Sequence, residues 1–210
     1  MLEKLLDMIC KNHSLTERED AARKFEAAGM AFEARGYDAK GLGHIGVMTA
    51  QGPMRLETLI VNPFEVDAPI FSHDRIHGMG QEIMMMEMYD SLLGDSFHND
   101  GLLRAFGAQE DPSGKQQEYW YTPLIVSPRL TLKGTQQDES RFDGMARDFV
   151  EAYLAAAREA AACDAASKRC KAAVYSEGLL KHGGPATDPV KAAMGEEWTA
   201  ALFRQTLFGA

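Results

Sequence analysis

Four short apolar or alternating segments, 46–51, 54–62, 69–77 and 82–90, follow one another, separated by Gly52-Pro53, Asn62-Pro63 and Gly78-Met79-Gly80. A parallel pair of strands needs a crossover of about a dozen residues or more, usually a helix, and these connections have no room for one. The segments are therefore expected to form an antiparallel meander. Residues 119–133 should add one or two strands, with Trp120, Tyr121, Leu124, Ile125 and Val126 supplying β-favouring bulk.

Helical patterns flank this block. Ser14 and Glu17 have the spacing of a capping box, and Ala21, Phe25, Ala28 and Phe32 recur at helical intervals up to Gly36, which predicts a helix through the first third. Phe142, Met145, Phe149, Tyr153 and Leu154 form a second apolar stripe, followed by alanine-rich sequence to residue 173. Asp188-Pro189 reads as an N-cap with proline at the first helical position, opening a terminal helix through Trp198, Leu202 and Phe203. Helices before and after a central antiparallel sheet place the chain in the α/β class, as a three-layer α/β/α sandwich. With 210 residues, no linker-like stretch and no internal repeat, the expectation is a single domain over 1–210.

Composition narrows the function classes. No run approaches the roughly 20 apolar residues that span a bilayer, and Glu3, Lys4 and Asp7 interrupt the place where a signal peptide would be apolar. Three cysteines without CxxC or zinc-type spacing suit a reducing compartment, so the expected setting is soluble and cytoplasmic, with no membrane association. A net charge of −9 disfavours a general nucleic-acid binder. Gly41, Gly43 and Gly46 match a GxGxxG pattern, with Asp67 about 20 residues on, but no strand precedes them and no helix follows, so they are read as a loop rather than a dinucleotide site. His73 and His77 could share a strand face, at a separation too large for one metal and without a third ligand, so no metal site is expected.

The segment Met84-Met85-Met86-Glu87-Met88-Tyr89 is apolar on both faces if it is a strand, with Glu87 as its ionisable group. Two readings stand: a desolvated carboxyl, kept protonated near neutral pH and able to donate, or a solvated residue at a strand end. If the hairpin turns at Met79-Gly80, Ser72 pairs with Glu87 and Asp74 with Met85, which sets Asp74 diagonally beside Glu87 on one face. A slip of one residue would bring His73 to that face and turn Asp74 away. Both registers remain open at this level.

Two stretches resemble a known family, the ferredoxin-dependent bilin reductases and the related red chlorophyll catabolite reductase. One is Asp67-Ala68-Pro69-Ile70-Phe71-Ser72-His73-Asp74 with Met86-Glu87-Met88-Tyr89, and the other is Asp188-Pro189, then Gly195-Glu196-Glu197-Trp198-Thr199, ending at Leu207-Phe208. Ser127-Pro128 and a long helix over 138–162 fall between them in compatible order. The resemblance implies a pocket between the sheet and the C-terminal helices that holds a linear tetrapyrrole. That ligand would be reduced by single electrons from ferredoxin, an external donor, with protons from side chains and with no bound metal or flavin. It places Glu87 at the family's proton-donating aspartate and Asp188 at its second aspartate; the hairpin registers add either Asp74 or His73 as a further expected catalytic group. The ligand-binding residues expected around them are Ser72, Glu57, Met85 and Tyr89. Glu at 87 instead of Asp, Ser72 instead of Gly and Met194 in place of an aromatic depart from the family pattern and fit a divergent member. Lys168, Arg169, Lys171 and Lys181 are the candidate cationic face for an acidic ferredoxin.

Overall fold

Two hairpin turns decide how the sheet is built. In the computed structural model, which describes residues 1–21, 23–95, 97–98, 100–102, 118–127 and 129–209, Met79 (φ 51°) and Gly80 (φ 73°) both adopt left-handed backbone. That is the turn geometry whose twist matches the strands it joins. It connects β6 (Ile70–Gly78) to β7 (Gln81–Tyr89) with Gly78 opposite Gln81, Asp74 opposite Met85 and Ser72 opposite Glu87. Of the two registers left open by the sequence, this is the one that brings Asp74 to the face of Glu87.

The same device overturns the helix expected in the first third. Ala28 (φ 51°) and Gly29 (φ 74°) turn β2 (Arg23–Ala27) back onto β3 (Met30–Ala39), and Ser14–Glu17 falls not at a helix start but at β1 (Leu15–Glu17). The seven-residue interval between Phe25 and Phe32 is mirror symmetry about the turn: they are cross-strand partners with rings stacked at 4.7 Å. The helix of this region lies earlier, at α1 (Leu2–Asn12).

With β4 (Gly43–Gln51), β5 (Met54–Pro63) and β8 (Leu130–Thr135), the sheet has, among the described residues, eight strands in the order β1-β3-β4-β5-β6-β7-β8, with β2 also paired to β3 and every pairing antiparallel. Gly41, Gly43 and Gly46 fall at the β3–β4 connection and in β4. Of the bulky run at 119–126 only a short 3₁₀ turn at Thr122–Leu124 and a bridge from Ile125 to Tyr89 form, so β8 alone is added by 119–133. Pro128 lies outside the described residues.

Helices cover both faces, giving the α/β/α sandwich. On one face, α1 and α2 (Glu139–Glu159) bury Leu5, Ile9, Phe142, Phe149 and Tyr153 against Val47, Leu59, Phe71, Met84, Met86 and Met88. The other face is covered by α3 (Ala165–His182), α4 (Thr187–Met194), α5 (Glu196–Ala201) and a six-residue π-helical turn, Leu202–Leu207. There Tyr175, Leu179, Phe203, Leu207 and Phe208 pack towards Met48, Ile60, Ile70 and Tyr89. The terminal helix is broken at Gly195 (φ 83°), and α4 starts at Thr187, which puts Asp188 inside its first turn.

Alanine-rich α3 is held to the sheet by a buried ion pair. Lys168 is fully buried, and its Nζ donates to Asp67 Oδ1 (2.9 Å) and to the Ser91 carbonyl (2.6 Å). Lys171 pairs with Asp90, and Arg169 stacks on Phe64 and donates to the Gly209 carbonyl. Of the four cations expected to form one docking face, Lys168 is therefore in the interior, and Lys171 and Arg169 are engaged within the fold.

Candidate functional site

The second face is not packed solid. A cavity of about 520 Å³ lies between the sheet and the C-terminal helices. Its floor is made by alternate residues of three neighbouring strands, Thr58 of β5, Ser72 and Asp74 of β6, and Met85, Glu87 and Tyr89 of β7, with Thr131 and Lys133 of β8 at the side. Tyr175 and Leu179 of α3, the loop at Gly184–Thr187, and Phe203, Leu207 and Phe208 form the roof. Tyr119, Tyr121 and Arg129 close one flank. The 119–121 segment reaches this place because Trp120 Nε1 donates to the Gly183 carbonyl (2.9 Å) and its ring lies over Gly178, where any Cβ would collide with it.

Asp74 and Glu87 share the floor but differ in surroundings. Asp74 accepts from Thr58 Oγ1 (2.6 Å) and from Ser72 Oγ (3.4 Å). Burial pushes its carboxyl up to about 6; the Thr58 hydrogen bond opposes the rise and the negative charge of Glu87 adds to it. Asp74 thus takes up and releases its proton much closer to neutral pH than an ordinary carboxyl does. Glu87 is anchored as an acceptor: Arg129 Nε donates to Oε1 (2.7 Å) and the Tyr89 hydroxyl to Oε2. The carboxylate and the guanidinium are 14% and 15% exposed, enough to meet a ligand in the cavity.

Tyrosines supply flat walls and fixed donors. Tyr89 stacks on Tyr175 at 3.8 Å between centroids, and Tyr121 meets both rings edge-on at 5.8 Å. Burial raises the Tyr89, Tyr121 and Tyr175 hydroxyls above the usual phenol range, so all three remain protonated.

Five of the eight expected site residues, Glu87, Asp74, Ser72, Met85 and Tyr89, are brought together on this floor. The other three are placed elsewhere. His73 points to the opposite face, where it is fully buried and burial lowers its ring to about 4, because strand alternation turns it away from its neighbours Ser72 and Asp74. Glu57 is on that opposite face too, across from Arg75, 3.4 Å from the terminal ammonium of Met1. Asp188 is exposed on α4 and accepts from the Gly184 amide (3.3 Å), outside the cavity lining. Sequence reasoning missed Thr58, Arg129, Tyr121, Tyr175 and Lys133. Thr58 becomes visible only when the β5–β6 register sets it opposite Asp74. Tyr175 had a weak signal, the lone aromatic of α3 one turn before Leu179. Among the described residues, no group of three or more His, Cys, Asp or Glu side chains could hold a metal ion.

No family model matches the chain, and no curated protein matches it in sequence. The fold, however, has a solved counterpart. It is similar to phytochromobilin synthase from tomato. The crystal structure of that protein, in complex with biliverdin, superimposes with a TM-score of 0.71 at 13% sequence identity, covering 100% of this chain and 83% of the synthase. The likeness is one of fold across the whole chain.

Proposed function

We propose that the cavity binds a linear tetrapyrrole and that the protein reduces it, with Asp74 as the group that hands over a proton. The observation that carries this reading is Asp74 itself, a carboxyl raised to about 6 on the floor of an aromatic-walled cavity, in a fold whose solved counterpart was crystallised with biliverdin. A flat, conjugated ligand suits the Tyr89–Tyr175 stack and the apolar roof of Phe203, Leu207 and Phe208. Lys133 and Arg129 supply cations for carboxylate side chains of such a ligand. Glu87, held by Arg129 and Tyr89, keeps a negative charge beside the ligand that favours a protonated, electron-accepting pyrrole system. Each two-electron reduction consumes two electrons and two protons. The electrons come singly from an external carrier of the ferredoxin class, and Asp74 delivers the first proton, is recharged from solvent and delivers the second.

Anaerobic incubation of the protein with biliverdin, ferredoxin and a reducing system is expected to shift the visible spectrum of bound pigment. Failure to bind, and absence of any shift, across several linear tetrapyrroles would sink the reading. A second reading is a tetrapyrrole carrier without turnover. The Glu87–Arg129 pair favours it, since it withdraws one of the two floor carboxyls from proton transfer. On that reading the protein takes up colour with biliverdin and keeps it unchanged when reductant is added.

A further inference from the structure

The cavity roof is held to the sheet by its main chain, through buried side chains that do not line the cavity. A helix end leaves carbonyls without partners, and here three of them find side-chain donors. His44 Nε2 lies 2.7 Å from the Thr206 carbonyl, a position that requires the N–H on that nitrogen. Asn62 Nδ2 donates to the Phe208 carbonyl at 2.8 Å, and Arg169 Nη1 to the Gly209 carbonyl at 2.6 Å. His44 of β4 and Asn62 of β5 are cross-strand partners, 1% and 2% exposed, so the pair forms one donor platform under the π-helical turn. Gly46 completes it: a Cβ there would run into the Leu207 main chain, which rests directly on the strand.

The platform is costly for stability alone. His44 Nδ1 and Asn62 Oδ1 are buried with no hydrogen-bond partner, and an apolar pair of similar volume would avoid both penalties. What the platform secures is position. The carbonyls it grips belong to the turn that carries Phe203, Leu207 and Phe208 into the cavity, and π-helical turns are frequent where side chains must be aimed at a site.

We propose that His44 and Asn62, seated with Gly46, are positioning residues that set the height of the cavity roof above the Asp74–Glu87 floor and so make the site selective for flat, conjugated ligands. The selectivity half of this inference rests on the tetrapyrrole reading; the mechanical half does not. His44→Leu and Asn62→Leu remove the donors at similar bulk, and His44→Gln restores an N–H. In the ligand-free protein, hydrogen–deuterium exchange at 202–209 is expected to accelerate in both Leu variants while β5–β7 keep their protection. Biliverdin is expected to bind about tenfold more weakly or worse, with a displaced absorption band, and KM should rise more than kcat falls. His44→Gln should recover the parent exchange and affinity. Should a Leu variant fail to fold, Asn62→Asp, nearly isosteric but offering an acceptor to the Phe208 carbonyl, tests the same contact. Parent-like exchange at 202–209, or parent-like affinity in variants whose exchange has accelerated, overturns the proposal. If the parent itself takes up no biliverdin, the tetrapyrrole reading and with it the selectivity half fall, while the exchange measurement still decides whether the platform holds the turn.

Discussion

The two faces of the β6–β7 hairpin put ionisable side chains to opposite uses. Towards α2, Arg75 is 2% exposed and donates to Glu82 (2.5 Å), to Asp143 and to the Glu139 carbonyl, while His77 also meets Glu82. Charge there is neutralised by its neighbours in a packed layer. Towards the C-terminal helices, Ser72, Asp74, Glu87 and Tyr89 occupy the alternate positions of the same two strands and face a cavity. One side uses a matched ion pair to close the core; the other sets a carboxyl raised to about 6 beside a second carboxyl. Strand alternation alone separates the two environments, so a single chemical type, a buried carboxyl, is ion-paired at Glu82 and faces a cavity at Asp74.

The comparison can be broken hardest on the closed face. Arg75→Leu leaves Glu82, which is fully buried, with His77 as its remaining side-chain partner among the described residues. Loss of one partner from a buried pair destabilises by about 3–5 kcal/mol, and urea or guanidinium unfolding should register a drop of that size. A loss below about 1 kcal/mol would mean that Arg75 and Glu82 are not the closing device.

On the open face the larger effect is on turnover. Asp74→Asn keeps shape and the Thr58 contact but removes the proton; turnover of biliverdin should fall by about 10²-fold or more, with binding retained. A parent-like rate in that variant would exclude Asp74 as donor. Glu87→Gln should do less: it removes the negative charge that helps keep Asp74 protonated, so the pH–rate limb belonging to Asp74 should move to lower pH, with only a several-fold loss of rate at neutrality. A 10²-fold loss with an unmoved limb would instead make Glu87 the donor.

These contrasts show which parts of the site the sequence could reveal. The β6–β7 pairing was legible down to two registers because Gly78-Met79-Gly80 marks the turn; the Met79-Gly80 geometry in the structure is what assigns Asp74 and Glu87 to one face. The β2–β3 hairpin was not, because Phe25 and Phe32 stand at equal distances from the Ala28-Gly29 turn and imitate helical spacing. Flat faces on strands are a local property; the far wall is not. Arg129 meets Glu87 from 42 positions away, and the C-terminal turn reaches His44 across 162, so neither contact leaves a periodic trace. Asp188 is a related case: its place before a terminal helix is local, whereas lining the cavity, which it does not do here, depends on how α4 is rotated against the sheet.

The smallest expected effect is the most discriminating, because buried histidine and the buried Asp74 carboxyl should pull stability in opposite directions with pH. His73, on the closed face, is held neutral by burial, with its ring at about 4 against an ordinary 6.5. Between these values the unfolded chain binds the proton that the folded one refuses, so stability falls as pH drops through this window, and His44, likewise lowered to about 4 chiefly by burial, adds to the fall. Asp74 behaves inversely. Its folded value of about 6 lies above an ordinary 3.8, so from pH 4 to 6 the folded state holds the extra proton and stability falls as pH rises, the full penalty remaining above 6. The two slopes offset one another in the parent between about pH 4 and 6. Asp74→Asn removes one side of the balance: it should steepen the rise of stability with pH in that range and leave the protein more stable at pH 7, by about 1–2 kcal/mol once partial solvation of the cavity floor is allowed for. His73→Leu should flatten the rise. Denaturant unfolding of the three proteins at pH 4.5, 5.5 and 7 checks both signs. Parallel curves for parent and Asp74→Asn would mean that Asp74 is an ordinary solvated carboxylate, and the distinction between the two faces would lose its electrostatic basis.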